Sequence, residues 1–329
     1  MSSTKDIRSN EVRSTSIRRG IVPGFAVLAL ALSACGGQSD GATDGDSVSG
    51  SVAVDGSSTV FPLSNAAAEL LNEENPDIKV TVGESGTGGG FEVFCADKTD
   101  ISDASRPIED DEIAACKSAG VEYTELRVAT DALTVVVNKD LAIDCLTTEQ
   151  LKKIWEPAAE GKVSNWNQVD PSFPDEKISL FGPGTDSGTF DYFTGEINGE
   201  EGASRTDYEA TEDDNVTVQG VSGTPGAMGY FGFSYFEENA DTLKAVSVDS
   251  GSGCVAPSAE TAQDGTYTPL ARPLFVYVNN ASYSDKPQVK AFVDFYIDNL
   301  PGITEAAKFI ALNDEQNTEV KSALDGMSS

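Results

Sequence analysis

The apolar and polar positions of this chain follow an alternating pattern from position 51 onward. Short apolar runs at 51–55, 79–83 and 100–104 predict strands, while the Ala-rich segment 63–72 and the segment 110–118 predict helices. Regular alternation of strands and helices favours an α/β fold with largely parallel sheets. The sequence contains no internal repeat.

The pattern continues beyond position 120 with less regularity. Two strand-like runs, 121–129 and 132–138, follow one another with little between them, and a threonine cap opens a predicted helix at 147–155. The segment 156–175 is loop-like. The remaining predicted elements are strands at 178–181 and 271–278 and helices at 189–195, 287–299 and 304–312.

Residues 1–34 differ from the rest of the chain. Basic residues precede an apolar run at 21–32, which is typical of a secretory signal peptide and shorter than the ~20 residues that span a bilayer. The following Leu-Ser-Ala-Cys resembles the lipobox of bacterial lipoproteins and predicts that Cys35 is lipidated. The alternative is an ordinary signal peptide with a cysteine near its cleavage site. Residues 35–50 are mostly Gly, Ser, Asp and Thr and predict a flexible tether.

Composition narrows the classes of function. Hydrophobic residues make up 39% of the 329 residues, enough for a buried core and for two domains. The net charge is −32, so the surface repels nucleic-acid phosphates and no nucleic-acid partner is expected. The same charge means that any anion site must attract its ligand locally.

Four cysteines remain once Cys35 is set aside: Cys95, Cys116, Cys145 and Cys254. An even number in an exported chain indicates two disulfides, and four cysteines allow three pairings. A zinc site is the alternative, but no pair has the Cys-x-x-Cys spacing and the chain has no histidine. We therefore expect neither a metal nor a cofactor.

Three predicted strand–loop–helix junctions, at 55–62, 83–91 and 181–190, share one composition. Each places glycines and small hydroxyl residues between the end of a strand and the start of a helix. A helix N-terminus carries unpaired N–H groups and a partial positive charge, and glycine lets an anion approach them closely. Three such junctions on one cleft would bind a tetrahedral oxyanion. For any one junction alone, ordinary helix capping is the alternative.

Six motifs form an ordered set along the chain. They are Asp-Gly-Ser-Ser-Thr-Val at 55–60, Gly-Thr-Gly-Gly-Gly-Phe at 86–91, Ala-Ser-Arg-Pro-Ile at 104–108, Gly-Thr-Asp-Ser-Gly-Thr-Phe at 184–190, Pro-Gly-Ala-Met-Gly-Tyr at 225–230 and Arg-Pro-Leu at 272–274. Together they resemble the phosphate-binding proteins of phosphate-specific ABC transporters over about residues 51–312. The resemblance implies an α/β, two-lobed type II periplasmic-binding-protein fold with a ligand cleft between the lobes.

The resemblance also implies where the chain crosses between lobes. Lobe one then comprises residues 51–130 and 269–329, and lobe two comprises residues 131–268. Only one of the three cysteine pairings stays within the lobes and leaves the hinge free to close. The predicted disulfides are therefore Cys95–Cys116 and Cys145–Cys254.

Ligand contacts are implied where this chain matches the three junctions of the family. Many members carry an arginine where this chain has Pro183, and some carry an aspartate where it has Arg106. The cation is therefore expected from Arg106, whose guanidinium can bind two oxygens at once. The alternative for Arg106 is a surface ion pair with a carboxylate. The other implied contacts are Ser58, Thr59, Thr87, Gly88, Ser187, Gly188 and Thr189.

A buried carboxylate is expected beside the ligand. At neutral pH phosphate carries a proton and sulfate does not, so a carboxylate accepts a hydrogen bond from one and repels the other. Asp131 is the predicted acceptor, although it could equally hold Arg106 in place. Asp186 is the second candidate, although it could instead shape its turn.

The function implied by the resemblance is extracytoplasmic binding of inorganic phosphate and its delivery to the permease subunits of an ABC transporter. The protein would be a lipid-anchored monomer on the bacterial cell membrane, and not an enzyme. Another oxyanion, such as sulfate or molybdate, and a phosphate-sensing role are the alternatives. Two Asp-Ser-Gly motifs also fit an aspartic protease, but they start only 63 residues apart, at 186 and 249.

Overall fold

The computed structural model describes residues 48–185 and 187–327. The predicted signal peptide, Cys35, most of the predicted tether and Asp186 lie outside these residues. Strands and helices alternate through the described part, so the α/β prediction is confirmed.

The strands are β1 Gly50–Gly56, β2 Ile78–Val82, β3 Ile101–Ala104, β4 Tyr123–Asn138, β5 Cys145–Thr147, β6 Ser179–Pro183, β7 Glu209–Thr211, β8 Ala227–Gly232, β9 Leu243–Ala245, β10 Ser247–Asp249, β11 Cys254–Val255 and β12 Ala271–Asn279. The helices are α1 Phe61–Glu74, α2 Gly86–Cys95, α3 Asp110–Ala119, α4 Thr148–Trp155, α5 Trp166–Val169, α6 Gly188–Phe193, α7 Asp214–Gly223, α8 Phe233–Asn239, α9 Ala259–Gln263, α10 Asn280–Asp285, α11 Pro287–Asp298, α12 Leu300–Ala306 and α13 Asp314–Met327.

Nine of the described strands form one mixed sheet, in the order β2-β1-β3-β12-β4-β8-β6-β7, with β9 also paired to β4. The long strand β4 connects its two halves. Residues 123–132 of β4 pair antiparallel with β12, and residues 133–138 pair with β8 and β9. Strands β5, β10 and β11 form a separate sheet.

The 16-residue strand β4 replaces the two strands predicted at 121–129 and 132–138. The predicted break fell at Thr130 and Asp131, which are polar residues within an apolar run. Both side chains are buried, and the backbone of Thr130 exchanges two hydrogen bonds with Ile310. The prediction of two strands is wrong because these polar residues are bonded to distant partners, Thr130 to Ile310 and Asp131 to Arg272, and do not mark a turn.

The two largest of the five hydrophobic clusters in the described residues lie on either side of this connection. The first is built from side chains within residues 52–129 and 274–320. The second is built from side chains within residues 133–270. Each half of the sheet therefore has its own core, as a two-lobed fold requires, while the lobe boundaries at 130/131 and 268/269 stay a prediction.

Both predicted disulfides are present, Cys95–Cys116 and Cys145–Cys254. The first joins α2 to α3, and the second joins β5 to β11 in the small sheet. The other two pairings and the zinc alternative are therefore wrong.

The C-terminal helices differ from the prediction. The helix expected at 304–312 is displaced: α12 ends at Ala306, and Lys308 has a φ of 63°, which interrupts the helix. The final helix α13 was not predicted, because its sequence is rich in charged and polar residues and only Gln316 and Val320 of it are buried. The loop-like segment 156–175 contains the short helix α5.

Candidate ligand-binding site

A cavity of about 600 Å³ lies where the two halves of the sheet meet. From the first half it is lined by the loops at 57–59, 85–89 and 105–107. From the second half it is lined by several residues between 188 and 201, and residues of the segment 268–273 complete it. All three predicted junctions therefore reach the same cavity.

The first junction, between β1 and α1, is fixed by its own backbone. The N–H of Ser57 donates to the carbonyl oxygen of Asp103 at 2.9 Å, and Ser57 Oγ accepts the N–H of Thr59 at 3.2 Å. No described side chain caps α1, whose N-cap residue is Val60. The N–H groups of Val60 and Phe61 donate instead to the carbonyl oxygen of Ser57, at 3.1 and 3.0 Å, and Ser58 and Thr59 line the cavity beside them.

The second junction, between β2 and α2, is tied to the first. Asp55 Oδ1 accepts the N–H of Gly56 at 2.8 Å and the N–H of Ser85 at 3.1 Å. Helix α2 then begins at Gly86, again without a side-chain cap among the described residues. A Cβ at Gly90 would lie 2.5 Å from the Cα of Gly56, so only glycine allows α2 to pack this closely on β1. This close packing holds the start of α2 at the cavity.

Thr87 and Gly88, both predicted ligand residues, line the cavity from α2. Thr87 Oγ1 lies 3.1 Å from Ser105 Oγ and accepts the N–H of Ser105 at 3.2 Å. The Thr87 hydroxyl therefore also fastens the loop after β3. Ser105 lines the cavity as well, although sequence reasoning did not select it.

The third junction, between β6 and α6, faces the first. A Cβ at Gly188 would lie 3.1 Å from Thr59 Oγ1 and 3.5 Å from Ser58 Oγ. Here the capping alternative holds, because Ser187 Oγ accepts the N–H of Thr189 at 3.2 Å. Gly188 lines the cavity, whereas Ser187 and Thr189 are not among the residues that line it.

Arg106 lines the cavity but is already paired. Its guanidinium donates to both carboxylate oxygens of Glu112, at 2.9 and 2.8 Å, and to the carbonyl oxygen of Pro107 at 3.1 Å. Its Nε lies 3.2 Å from Glu109 Oε1. These contacts are the surface ion pairs expected as the alternative role of Arg106. Its role as the cation that binds the ligand stays a prediction.

Arg272, at the start of β12, also lines the cavity, and sequence reasoning missed it. Its Nε donates to Asp131 Oδ2 at 3.2 Å, and one terminal nitrogen donates to Thr59 Oγ1 at 2.9 Å. Its guanidinium carbon lies 3.6 Å from the centre of the Tyr192 ring. Asp131 therefore contacts Arg272, not Arg106 as considered above, and is not itself among the residues lining the cavity.

Carboxylates share the cavity with Arg272. Asp191, Glu196 and Glu201 line it from the second half of the sheet. Burial raises the pKa of Asp191, nearby Glu201 raises it further, and Arg272 opposes both effects. Burial likewise raises the pKa of Glu196 and of Asp131 against the influence of Arg272. A bound anion and these carboxylates would both be attracted to the positive charge of Arg272, and the carboxylates would repel the anion.

Asp103 lies directly behind the first junction and is 0% exposed. Its Oδ1 accepts a hydrogen bond from Ser64 at 2.8 Å, and its Oδ2 is buried without a partner among the described residues. Burial raises the pKa of Asp103 to about 8, with a contribution from Asp55 and against the hydrogen bond from Ser64. This carboxyl is therefore mostly protonated at neutral pH.

Other features bear on the alternatives. Asp249, from the second Asp-Ser-Gly motif, accepts the N–H groups of Gly251 and Gly253 and so shapes a turn outside the cavity. In residues 48–185 and 187–327, no group of three or more His, Cys, Asp or Glu side chains could hold a metal ion. None of the helices in the same ranges is both long and apolar enough to cross a bilayer.

The residues that sequence reasoning missed lacked a local pattern. Arg272 opens the Arg-Pro-Leu motif, so its signal was a single basic residue at the start of an apolar strand. Asp191 and Glu196 follow the third junction within a helical segment, where acidic residues usually face solvent. Their only sequence signal was their distance from that junction.

The fold and the cleft place the protein in a known class. Residues 41–299 match the family model of the PBP superfamily domain. Ligand clefts are commonly found where two domains meet, and this cavity lies between two cores. The architecture implied by the sequence resemblance is thus confirmed.

Comparison with individual proteins narrows the class. The chain is 47% identical over 300 residues to protein SphX of Synechocystis, covering 91% of this chain and 87% of that protein. It is 40% identical over 298 residues to the phosphate-binding protein PstS of Staphylococcus saprophyticus, covering 90% of each. It matches the crystal structure of a possible phosphate binding protein from Planctomyces limnophilus with a TM-score of 0.82 and 46% identity, covering 86% of this chain and 100% of that one. The chain therefore belongs to the family of the phosphate-binding protein PstS.

Proposed function

We propose that this protein binds inorganic phosphate in its cleft and delivers it to the permease subunits of an ABC transporter. The observation that carries the proposal is the convergence of three helix-opening junctions and two arginines on one cavity. The relatives support phosphate as the ligand, because PstS is named a phosphate-binding protein and the Planctomyces limnophilus protein a possible one.

The proposed contacts come from the starts of three helices. N–H groups and hydroxyls at helix N-termini attract an anion locally, which offsets the repulsion of a chain with a net charge of −32. The absence of a side-chain cap on α2, among the described residues, supports this use of its N–H groups. At the start of α1 the N–H groups of Val60 and Phe61 already donate to the Ser57 carbonyl oxygen, so the hydroxyls of Ser58 and Thr59 are the proposed contacts there. The proposed phosphate-binding residues at the junctions are Ser58, Thr59, Thr87, Gly88, Ser187, Gly188 and Thr189.

Closure of two lobes over the ligand is part of the proposal. The lobes are residues 51–130 with 269–329, and residues 131–268. Two separate hydrophobic cores and the short distance between Gly188 and Thr59 support closure across the cavity. Contacts from both lobes to one anion would favour the closed form when phosphate is bound.

Asp131 and Asp186 are the proposed acceptors of the phosphate proton. The support for Asp131 is its hydrogen bond with Arg272, which lines the cavity. Asp131→Asn is expected to narrow the preference for phosphate over sulfate, because an amide no longer repels the unprotonated anion. Competition calorimetry with both anions measures this, and unchanged selectivity would remove Asp131 from the proposal.

Export and lipid anchoring through Cys35 complete the proposed setting, with a monomer that has no catalytic activity. The support is the sequence of residues 1–35 and membership of a family of phosphate-binding transport proteins. In a bacterial host, Cys35→Ser is expected to move the protein from the membrane fraction to the soluble extracytoplasmic fraction. Retention of the variant in the membrane fraction would contradict the anchor.

Calorimetric titration tests the ligand directly. The purified protein is unfolded and refolded to remove bound ligand, then titrated with phosphate, arsenate, sulfate and molybdate. One-to-one phosphate binding with negligible sulfate binding is expected. Binding of sulfate or molybdate without phosphate would keep the oxyanion site and change its ligand. No binding of any of the four anions would refute the proposed function.

A further inference from the structure

Two arginines line the cavity, and they differ in how many of their donors are occupied. A guanidinium carries five N–H donors. Arg106 directs its three nitrogens at Glu112, Glu109 and the carbonyl of Pro107. Arg272 makes only two hydrogen bonds among the described residues, one to Asp131 and one to Thr59. Arg272 therefore has donors to spare within the cavity, whereas Arg106 is held by carboxylates.

Arg272 is also held in place by groups from three parts of the fold. Thr59 belongs to the first junction, Asp131 to the connecting strand β4, and Tyr192 to helix α6 after the third junction. The Tyr192 hydroxyl is itself fixed, because it donates to the carbonyl oxygen of Pro269 at 2.5 Å. A planar guanidinium fixed on one edge and one face presents its remaining edge in a single orientation. This is the preorganisation that a bidentate oxyanion contact needs.

We propose that Arg272, positioned by Asp131 and Tyr192, is the cation that binds the phosphate oxygens, and that Arg106 serves mainly to fix its own loop through Glu112. This assignment rests on the proposed function, because it concerns the same ligand. Arg272 contacts Thr59 on one side of the cavity and Tyr192 on the other. Its position between the first and third junctions means that phosphate bound to it would also reach both sets of helix N-termini.

The charges around each arginine favour the same choice. Arg106 faces two carboxylates at ion-pair distance, so an incoming anion would have to displace Glu112 or Glu109. Arg272 has one such partner, Asp131, whose side chain is 8% exposed and does not line the cavity. The positive charge of Arg272 affects the pKa of Asp191 and of Glu196, but in the described structure neither carboxylate forms a hydrogen bond or ion pair with it. Phosphate could therefore bind Arg272 without breaking an existing ion pair.

Three single variants and one double variant test the assignment by phosphate calorimetry on the whole protein. Arg272→Gln is expected to weaken phosphate binding about 100-fold, because a charged hydrogen-bonding partner is lost. Arg272→Lys keeps the charge but not the planar fork and is expected to weaken binding about tenfold. Arg106→Gln, the matched control, is expected to change binding less than about threefold.

Folding is controlled separately. Arg272→Gln leaves Asp131 buried without its cation, which could destabilise the protein. The double variant Arg272→Gln/Asp131→Asn removes both charges and is expected to keep a cooperative thermal transition while binding phosphate about 100-fold more weakly than Asp131→Asn alone. A purely structural role for Arg272 would instead lower the melting temperature of Arg272→Gln and leave the affinity of the double variant near that of Asp131→Asn.

The outcomes separate this inference from the proposed function. If the wild type binds phosphate and Arg272→Gln and the double variant lose it while Arg106→Gln does not, the assignment is supported. If the wild type binds phosphate and Arg106→Gln is the variant that loses it, the assignment is refuted and the function stands. If the wild type binds none of the four oxyanions, the proposed function fails and the assignment fails with it.

Discussion

Replacing Asp103 by asparagine is expected to stabilise the protein at neutral pH. Asp103 is fully buried, and the pKa of its carboxyl is raised from 3.8 to about 8. Folding at pH 7 therefore requires an ionised carboxylate to take up a proton. Asparagine has nearly the same shape, keeps an oxygen that can accept the Ser64 hydroxyl, and needs no proton.

The size of the effect follows from the two pKa values. Between pH 3.8 and about 8 the unfolded chain ionises Asp103 and the folded protein does not, so each pH unit removes about 1.4 kcal/mol of stability from the wild type. At pH 7 this amounts to at most about 4 kcal/mol, which asparagine would recover. For a protein of this size that corresponds to roughly 10 °C in melting temperature.

The sign of the pH dependence provides the sharper test. A raised pKa in the folded state gives stability that is complete below pH 4 and is lost as the pH rises towards 8. We therefore expect urea denaturation of the variant and the wild type to give similar free energies of unfolding near pH 4. The two curves should diverge steadily up to about pH 8 and run parallel above it.

A second aspartate in the same region serves as the control. Asp100 is also buried, but it accepts hydrogen bonds from Ala53, Ser282 and Lys286. Asp100→Asn is expected to destabilise the protein by about 1–3 kcal/mol at pH 7, because it removes a charged partner of Lys286.

Parallel pH curves for wild type and Asp103→Asn would refute the reasoning, since they would show that Asp103 ionises alike in folded and unfolded chains.

Three further predictions concern geometry. Gly188→Ala is expected to weaken phosphate binding about tenfold with little change in melting temperature, because the new Cβ would lie 3.1 Å from Thr59 Oγ1 across the cavity. Calorimetry that shows an unchanged affinity would contradict this prediction. Gly90→Ala is expected to lower the free energy of unfolding by about 1–3 kcal/mol in urea denaturation, since its Cβ would lie 2.5 Å from a backbone atom of β1. Replacing Cys145 and Cys254 together by alanine is expected to lower the free energy of unfolding by up to about 4 kcal/mol, because the disulfide closes a span of 109 residues. Phosphate affinity is expected to stay within about twofold, because neither cysteine lines the cavity.

Much of the fold could be predicted because its signals are local. Strands β1, β2 and β3 are short apolar runs, and the glycine and hydroxyl residues after β1, β2 and β6 marked the starts of α1, α2 and α6. The break predicted within β4 had a local cause as well, namely the polar pair Thr130 and Asp131. Periodicity could not show that these residues are buried by partners far along the chain.

The polar part of the site depended on such distant partners. Arg272 and Asp131 are 141 residues apart in sequence, so no spacing rule connects them. Arg106 and Glu112 are close in sequence, but their pairing depends on how the loop meets the start of α3. Both arginines were visible in the sequence. Only the three-dimensional arrangement of the carboxylates shows which guanidinium has its hydrogen-bond donors already used.

The unbroken strand β4 has a consequence for how the molecule can move and unfold. Its first residues belong to one half of the sheet and its last residues to the other, and opposite β12 it carries a register shift between Leu274 and Phe275. A bulge bends its strand and increases the local twist, so β4 passes from one half of the sheet to the other as a bent strand that stays hydrogen-bonded on both sides of the crossing. Neither lobe can then lose this strand without fraying the other, and unfolding should proceed as one cooperative event and not lobe by lobe.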